Sequence, residues 1–236
     1  MNTVPQVMKE LERLGSAQTR KTFARHGAPD SMYGVKVADL KTVAKKIKGN
    51  QDLALELYDT GNSDAMYLAG IVADGSQMNK STLNRWAREA TWYMLSEYTV
   101  PGVAHQHPAA REIAMKWINA KRESVAAAGW CTYVGVLATR DDEDLDLGEI
   151  RELLHRIEKQ IDKAPNRVRY TMNGFVIAVG CYVKPLLKEA QATASKLGKV
   201  HVEMGDTACK VPLATEYIQK VVKAKRVGKK RKTIKC

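Results

Sequence analysis

The sequence predicts an all-α protein, a superhelix of stacked antiparallel helix pairs, and three observations point there. Apolar residues recur at helical spacing along almost the whole chain. No segment sustains a two-residue alternation bounded by turn residues. A seven-residue pattern returns after 45 residues.

The elements follow in order. Val4, Val7, Met8, Leu11 and Leu14 share one face of a helix over 4–14, and a second helix is predicted over 16–26. Val37, Leu40, Val43, Ala44 and Ile47 repeat that face, with Lys36, Lys41, Lys45, Lys46 and Lys48 around the rest. Further helices are predicted over 51–60, 63–73, 79–98, 108–120, 122–139, 147–162, 165–182, 185–197 and 212–225. Asp52, Ser63 and Asn79 stand near predicted starts, and Pro165 suits a first turn. Gly61, Gly75 and Gly198 stand where helices should stop.

The repeat pairs Gly129-Trp-Cys-Thr-Tyr-Val-Gly135 with Gly174-Phe-Val-Ile-Ala-Val-Gly180, 45 residues on. That period falls in the range of HEAT and armadillo repeats, which are antiparallel helix pairs. With about twelve short helices it favours an α-solenoid, curved and offering a concave basic face, over a closed bundle.

A chain of 236 residues that is 44% apolar can bury a full core, and we expect one repeat domain over 1–222. The formal charge is +12. Eight of those charges (Lys223, Lys225, Arg226, Lys229, Lys230, Arg231, Lys232, Lys235) lie without an acid in the stretch 223–236, which leaves +4 for the rest. That stretch reads as a flexible basic tail able to attract phosphates without reading sequence.

The N-terminus has no basic start and no apolar run, and the longest near-apolar stretch, Phe175 to Val183, is far short of the roughly 20 residues of a membrane span. A cytoplasmic monomer with no membrane contact is expected. Cys131, Cys181, Cys209 and Cys236 are far apart, as reduced thiols would be. Asp141, Asp142, Glu143, Asp144 and Asp146 precede a predicted helix, where carboxylates complement the positive helix start. His105 and His107 read as loop residues. No metal, no cofactor and no nucleophile–histidine set is expected.

Five segments, in order, resemble the AlkD-type DNA alkylation repair family of HEAT-like-repeat DNA glycosylases. They are Tyr33–Lys41 running on to Ile47; Leu53–Leu57 with Leu68 and Ala69; Trp86 to Val100; the Trp117 helix with the helix after it; and Arg167 to Val183. The resemblance covers roughly 5 to 190. Gly198 to Pro212 looks like a mark of a divergent branch. The resemblance implies excision of cationic N3- or N7-alkylated purines in a cleft with two Trp, an Asp and an Arg. An alkylated purine is already a good leaving group, so the main need is a preorganised negative charge beside the developing sugar cation. The resemblance sets Trp92 on the first Trp, but Ser96 stands where the Asp belongs. Glu97 is next, about 100° further round an α-helix. The Arg position falls near Ala127 or Ala128, and the second Trp near Gly174 or Phe175.

The catalytic candidates are therefore Trp92 and Glu97, with Trp92 equally readable as core. Candidate DNA contacts are Lys45, Arg85, Trp92, Arg167, Arg169, Asn173 and Lys210. Arg167 and Arg169 open a helix where positive charge opposes the dipole, and a phosphate would suit that place. Asn173 follows on the same helix. Trp117 and Trp130 sit in apolar helical patterns and should pack between repeats. Three functions stay open: a protein that holds damaged, bent or branched duplex DNA without the family chemistry, an active alkylpurine glycosylase, and a protein-binding helical scaffold.

Overall fold

A computed structural model describes residues 1–235; Cys236 lies outside the described residues. Among them the chain is all-helical, with thirteen α-helices and no strand. The described residues divide into two compact units: residues 1–109 with 204–208 and Lys235, and residues 110–203 with 209–234.

The first unit begins with α1 (Val4–Leu14), which buries Val7 and Leu11 and carries a proline in its first turn, as the pattern requires. Next come α2 (Ala17–Arg25), α3 (Val37–Lys46), α4 (Gln51–Asp59) and α5 (Ser63–Val72). Their starts are fixed by side-chain oxygens. Ser16 accepts from the Thr19 amide, Asn50 from Leu53, and Asn62 from Asp64 and Ala65. Helix α5 is buried almost all round, as a central helix should be. Helix α6 (Lys80–Glu89) is held to α4 by Tyr58, whose ring stacks on Trp86 at 3.8 Å and whose hydroxyl donates to the Trp86 carbonyl at 2.7 Å.

The predicted helix over 79–98 is not continuous. α6 stops at Glu89, Ala90 turns extended, and the chain resumes as a π-helix over Met94–Thr99 that runs into α7 (Val100–Ala104). Pro101 accounts for the wide turn: its ring would strike the carbonyl four residues back, at Glu97, and it donates no hydrogen bond there. The Val100 amide reaches five residues back, to Leu95, instead.

One carboxylate positions α2. Asp64, buried in the first turn of α5, accepts from the backbone amides of Tyr33 (2.7 Å), Gly34 (3.0 Å) and Val35 (3.1 Å). Burial pushes its carboxyl up, and the three amides pull the other way. Gly34 has φ +79°, and its carbonyl accepts from the Ser16 amide at the start of α2. A β-carbon on Gly34 would lie 2.7 Å from the Arg20 nitrogen, so this contact requires glycine twice over.

The second unit contains α8 (Ala110–Ile118), α9 (Glu123–Thr139), α10 (Leu147–Gln160), α11 (Asn166–Tyr182), α12 (Leu187–Leu197) and α13 (Ala214–Lys223). α9 and α11 are 17 residues each, apolar on nearly every face, and form the middle of its core. Their repeated aromatic residues meet: Trp130 and Phe175 lie edge to face at 5.2 Å. Trp117 is buried too, so both tryptophans read as packing residues pack. The acidic run is spent on structure. Asp146 caps α10 and pairs with Arg111 at 2.8 Å, and Asp142 pairs with Lys230 at 2.8 Å.

The tail, expected to be flexible, is hydrogen-bonded. Gly228 donates to the Cys181 carbonyl at 2.9 Å and Arg231 to the Ala138 carbonyl at 2.7 Å. In the first unit the Lys235 ammonium donates to the Ala73 carbonyl. No helix among the described residues is long and apolar enough to cross a membrane.

Candidate nucleic-acid interface

In the first unit, α2 and the segment after α6 build an aromatic cluster. Trp92 lies 5.6 Å from Phe23 and 5.4 Å from Tyr93; Tyr93 lies 6.2 Å from His26 and 6.5 Å from Tyr98. The Tyr93 hydroxyl is 3.3 Å from His26 Nδ1. Trp92 is only 7% exposed, so it is the floor of the cluster, while Tyr98, 42% exposed, carries its open surface. Helix α2 carries three exposed cations and no acid: Arg20 lies on the flank of the Phe23 face, while Lys21 and Arg25, each two residues from Phe23, lie on the opposite face. Gly205, at φ +72°, comes so near the end of α2 that a β-carbon there would lie 2.6 Å from the Arg25 carbonyl oxygen.

Glu97 is buried, 6% exposed, inside the π-helix. A turn closed by bonds to the fifth residue stacks positions five apart rather than four. Trp92 itself precedes the π-helix, and its carbonyl accepts from the Leu95 amide at 3.0 Å and the Ser96 amide at 3.1 Å. Ser96, at the expected Asp position, donates its hydroxyl back to the Trp92 carbonyl at 3.4 Å.

The remaining predicted contacts divide. Lys45 is exposed on α3 and Lys210 is exposed in the irregular stretch before α13. Arg85 is held by Asp59 at 2.6 Å and by Glu89 at 3.1 Å, so two carboxylates already compete for it. In the second unit the start of α11 is occupied: the Glu123 carboxylate accepts from the Arg167 amide at 2.6 Å, which is where a phosphate was expected. The Arg167 guanidinium lies 4.4 Å over the Tyr170 ring. Asn173 is fully buried and its amide donates to the Pro212 carbonyl at 2.9 Å, so it has no surface to offer DNA; this corrects the sequence expectation. Arg169 Nε and Asn173 Oδ1, on neighbouring turns of α11, are buried without hydrogen-bond partners among the described residues.

Sequence reasoning missed Phe23, His26, Tyr93, Tyr98 and the three α2 cations. The signal was there: a polar helix with one phenylalanine, no acid and three exposed cations. What the sequence could not show was that this helix meets residues some 70 positions later.

Stacked helices, an aromatic cluster and an acid-free basic helix define the class, an all-α helical protein. The model of the DNA alkylation repair enzyme family matches residues 7–217, and the chain belongs to that family. A solved structure described as "a new family of proteins related to the HEAT-like repeat DNA glycosylases with affinity for branched DNA structures" superposes with a TM-score of 0.90. It is 38% identical, over 99% of this chain and 100% of that one. An uncharacterized protein of Listeria innocua is 34% identical over 226 residues, 93% of this chain and 97% of its own length. An uncharacterized protein of Listeria monocytogenes matches at the same identity and coverage.

Proposed function

We propose that this protein binds DNA of distorted or branched shape and holds it without the glycosylase chemistry of its family. The full-length likeness to a structure with affinity for branched DNA supports the partner most strongly. The exposed α2 cations offer phosphate contacts and the exposed Tyr98 offers a ring for stacking in the first unit. Ser96 in place of an Asp supports the loss of chemistry, because removing one preorganised charged group commonly costs on the order of 10²–10³ in rate. The reading includes a cytoplasmic monomer; light scattering on the DNA-free protein checks the monomer, and cell fractionation checks the compartment.

The test is anisotropy with labelled duplex, bulged duplex and four-way junction over a range of salt. Junctions should bind more tightly than plain duplex. Arg20→Gln, Lys21→Gln and Arg25→Gln combined should weaken binding and lower the salt slope by about 2 to 3. No binding to any probe at low salt overturns the proposal.

One observation favours a second reading, an active glycosylase: a carboxylate, Glu97, lies buried in the π-helix that follows Trp92. Release of 7-methylguanine from alkylated DNA, lost in Glu97→Gln, would establish it. No release would reject it.

A further inference from the structure

We propose a second nucleic-acid site, separate from the interface above, that takes an unpaired single strand in the groove between α13, the end of α11 and the basic tail. The groove is about 530 Å³ and is lined by Tyr182, Tyr217, Lys220, Arg226, Lys229 and Arg231, among others, with no acidic side chain. Both its shape and its charge arise from a turn at the end of α13. The Arg226 amide bonds to the Val221 carbonyl (3.1 Å) and the Lys225 amide to the Val222 carbonyl (2.9 Å), the paired bonds that close a helix through a left-handed residue. That residue is Lys225, at φ +54°, where glycine would be the unstrained choice.

The turn sends the tail back over the second unit, and Lys230 pins it. Its ammonium meets the Leu137 carbonyl at 3.0 Å and Asp142 at 2.8 Å. Lys220, Arg226, Lys229 and Arg231 are exposed and make no ion pair among the described residues. One basic residue is thus used as an anchor and four are left facing the groove.

Tyr217 identifies the occupant. It is 49% exposed, one of only two large exposed hydrophobics among the described residues. It sits three residues before Lys220 on the same face of α13. A ring beside a row of cations is the arrangement that binds single strands, the cations tracking phosphates and the ring stacking a base. A free nucleotide would call for a helix N-terminus or a glycine-rich cradle. Here the end of α13 at the groove is its C-terminus, and the charge comes from side chains on two elements spread over residues 220–231. That spacing suits several phosphates in a row. Duplex DNA hides its base faces, so stacking on Tyr217 requires unpaired nucleotides.

The test uses the full chain and a labelled oligothymidylate of about ten nucleotides, with a labelled four-way junction in parallel. Tyr217→Ala should weaken the single strand about tenfold, and Tyr217→Phe should restore it. Lys220→Gln, Arg226→Gln and Lys229→Gln combined should lower the single-strand salt slope by about 2. Tyr217→Trp should show fluorescence quenching as the strand binds. The proposal is overturned if Tyr217→Ala leaves single-strand affinity unchanged, or if inorganic phosphate or an acidic peptide displaces the strand as well as unlabelled oligothymidylate does. Junction binding with no Tyr217-dependent strand binding sinks this site and spares the first interface. Strand binding without junction binding does the reverse.

Discussion

The α9–α11 pair and the segment 90–104 are made of similar residues, yet one is regular and the other is broken. Both are rich in Trp, Tyr, Val, Thr and Gly. α9 and α11 each run 17 residues without interruption, because nothing in them denies the backbone a bond. The other segment carries Pro101 and must seat Trp92 against Phe23, and it yields an extended Ala90, a π-helix and a five-residue helix. Regularity in this protein follows where packing is the only demand. Irregularity gathers where a proline interrupts the helix and an aromatic ring must be seated on a distant helix.

The pair is itself less symmetric than its repeat implies, and glycine shows it. A β-carbon on Gly129 would lie 2.5 Å from the Ile118 backbone nitrogen, whereas one on its repeat partner Gly174 would meet nothing within 4 Å. Gly129→Ala should therefore be the most damaging change, costing about 3 kcal/mol in urea unfolding, since a backbone atom cannot give way.

The next effect is a pH dependence within α11. Burial raises the Cys181 thiol to about 11 from an ordinary 9. The folded state keeps its proton where the unfolded chain loses it, so stability present below pH 9 is lost as pH rises toward 11. Calorimetry of wild type and Cys181→Ala over that range should show the wild type losing on the order of 2 kcal/mol relative to the variant. Parallel curves would contradict it.

Gly174→Ala should move the other way from Gly129→Ala, gaining about 0.8 kcal/mol, because a mid-helix glycine with free space only costs entropy. The smallest effect is expected at Pro101→Ala. It removes a clash and a buried ring together, and should shift the midpoint by less than about 1 kcal/mol while slowing amide exchange across 94–99. Loss of the wide turn in that variant is the sharper readout.

These contrasts explain what could be read from the sequence. The helices were legible because apolar spacing in α1, α3 and α9 reports a face directly, and the caps at Asn50, Asn62 and Ser16 follow local chemistry. The break before Trp92 was not legible, since Ala90, Thr91 and Trp92 contain no helix breaker, and the contact that accompanies it, Trp92 on Phe23 of α2, joins residues far apart in sequence. Of the predicted contacts, Lys45 and Lys210 are exposed. Asn173 was misread because helical position says nothing of what covers a side chain, here the Pro212 backbone. The tail was read as unstructured from charge alone, and charge does not reveal that Asp142 stands ready for Lys230.

The Asp64 clamp makes three consecutive amides depend on one side chain. Those amides lie in a loop, outside any helix, yet they should be slow to exchange with solvent and should be released together when the carboxylate lets go. Their shared exchange rate would then be a clock for the loosening of α2, and so for how often the basic helix leaves the aromatic floor beneath it.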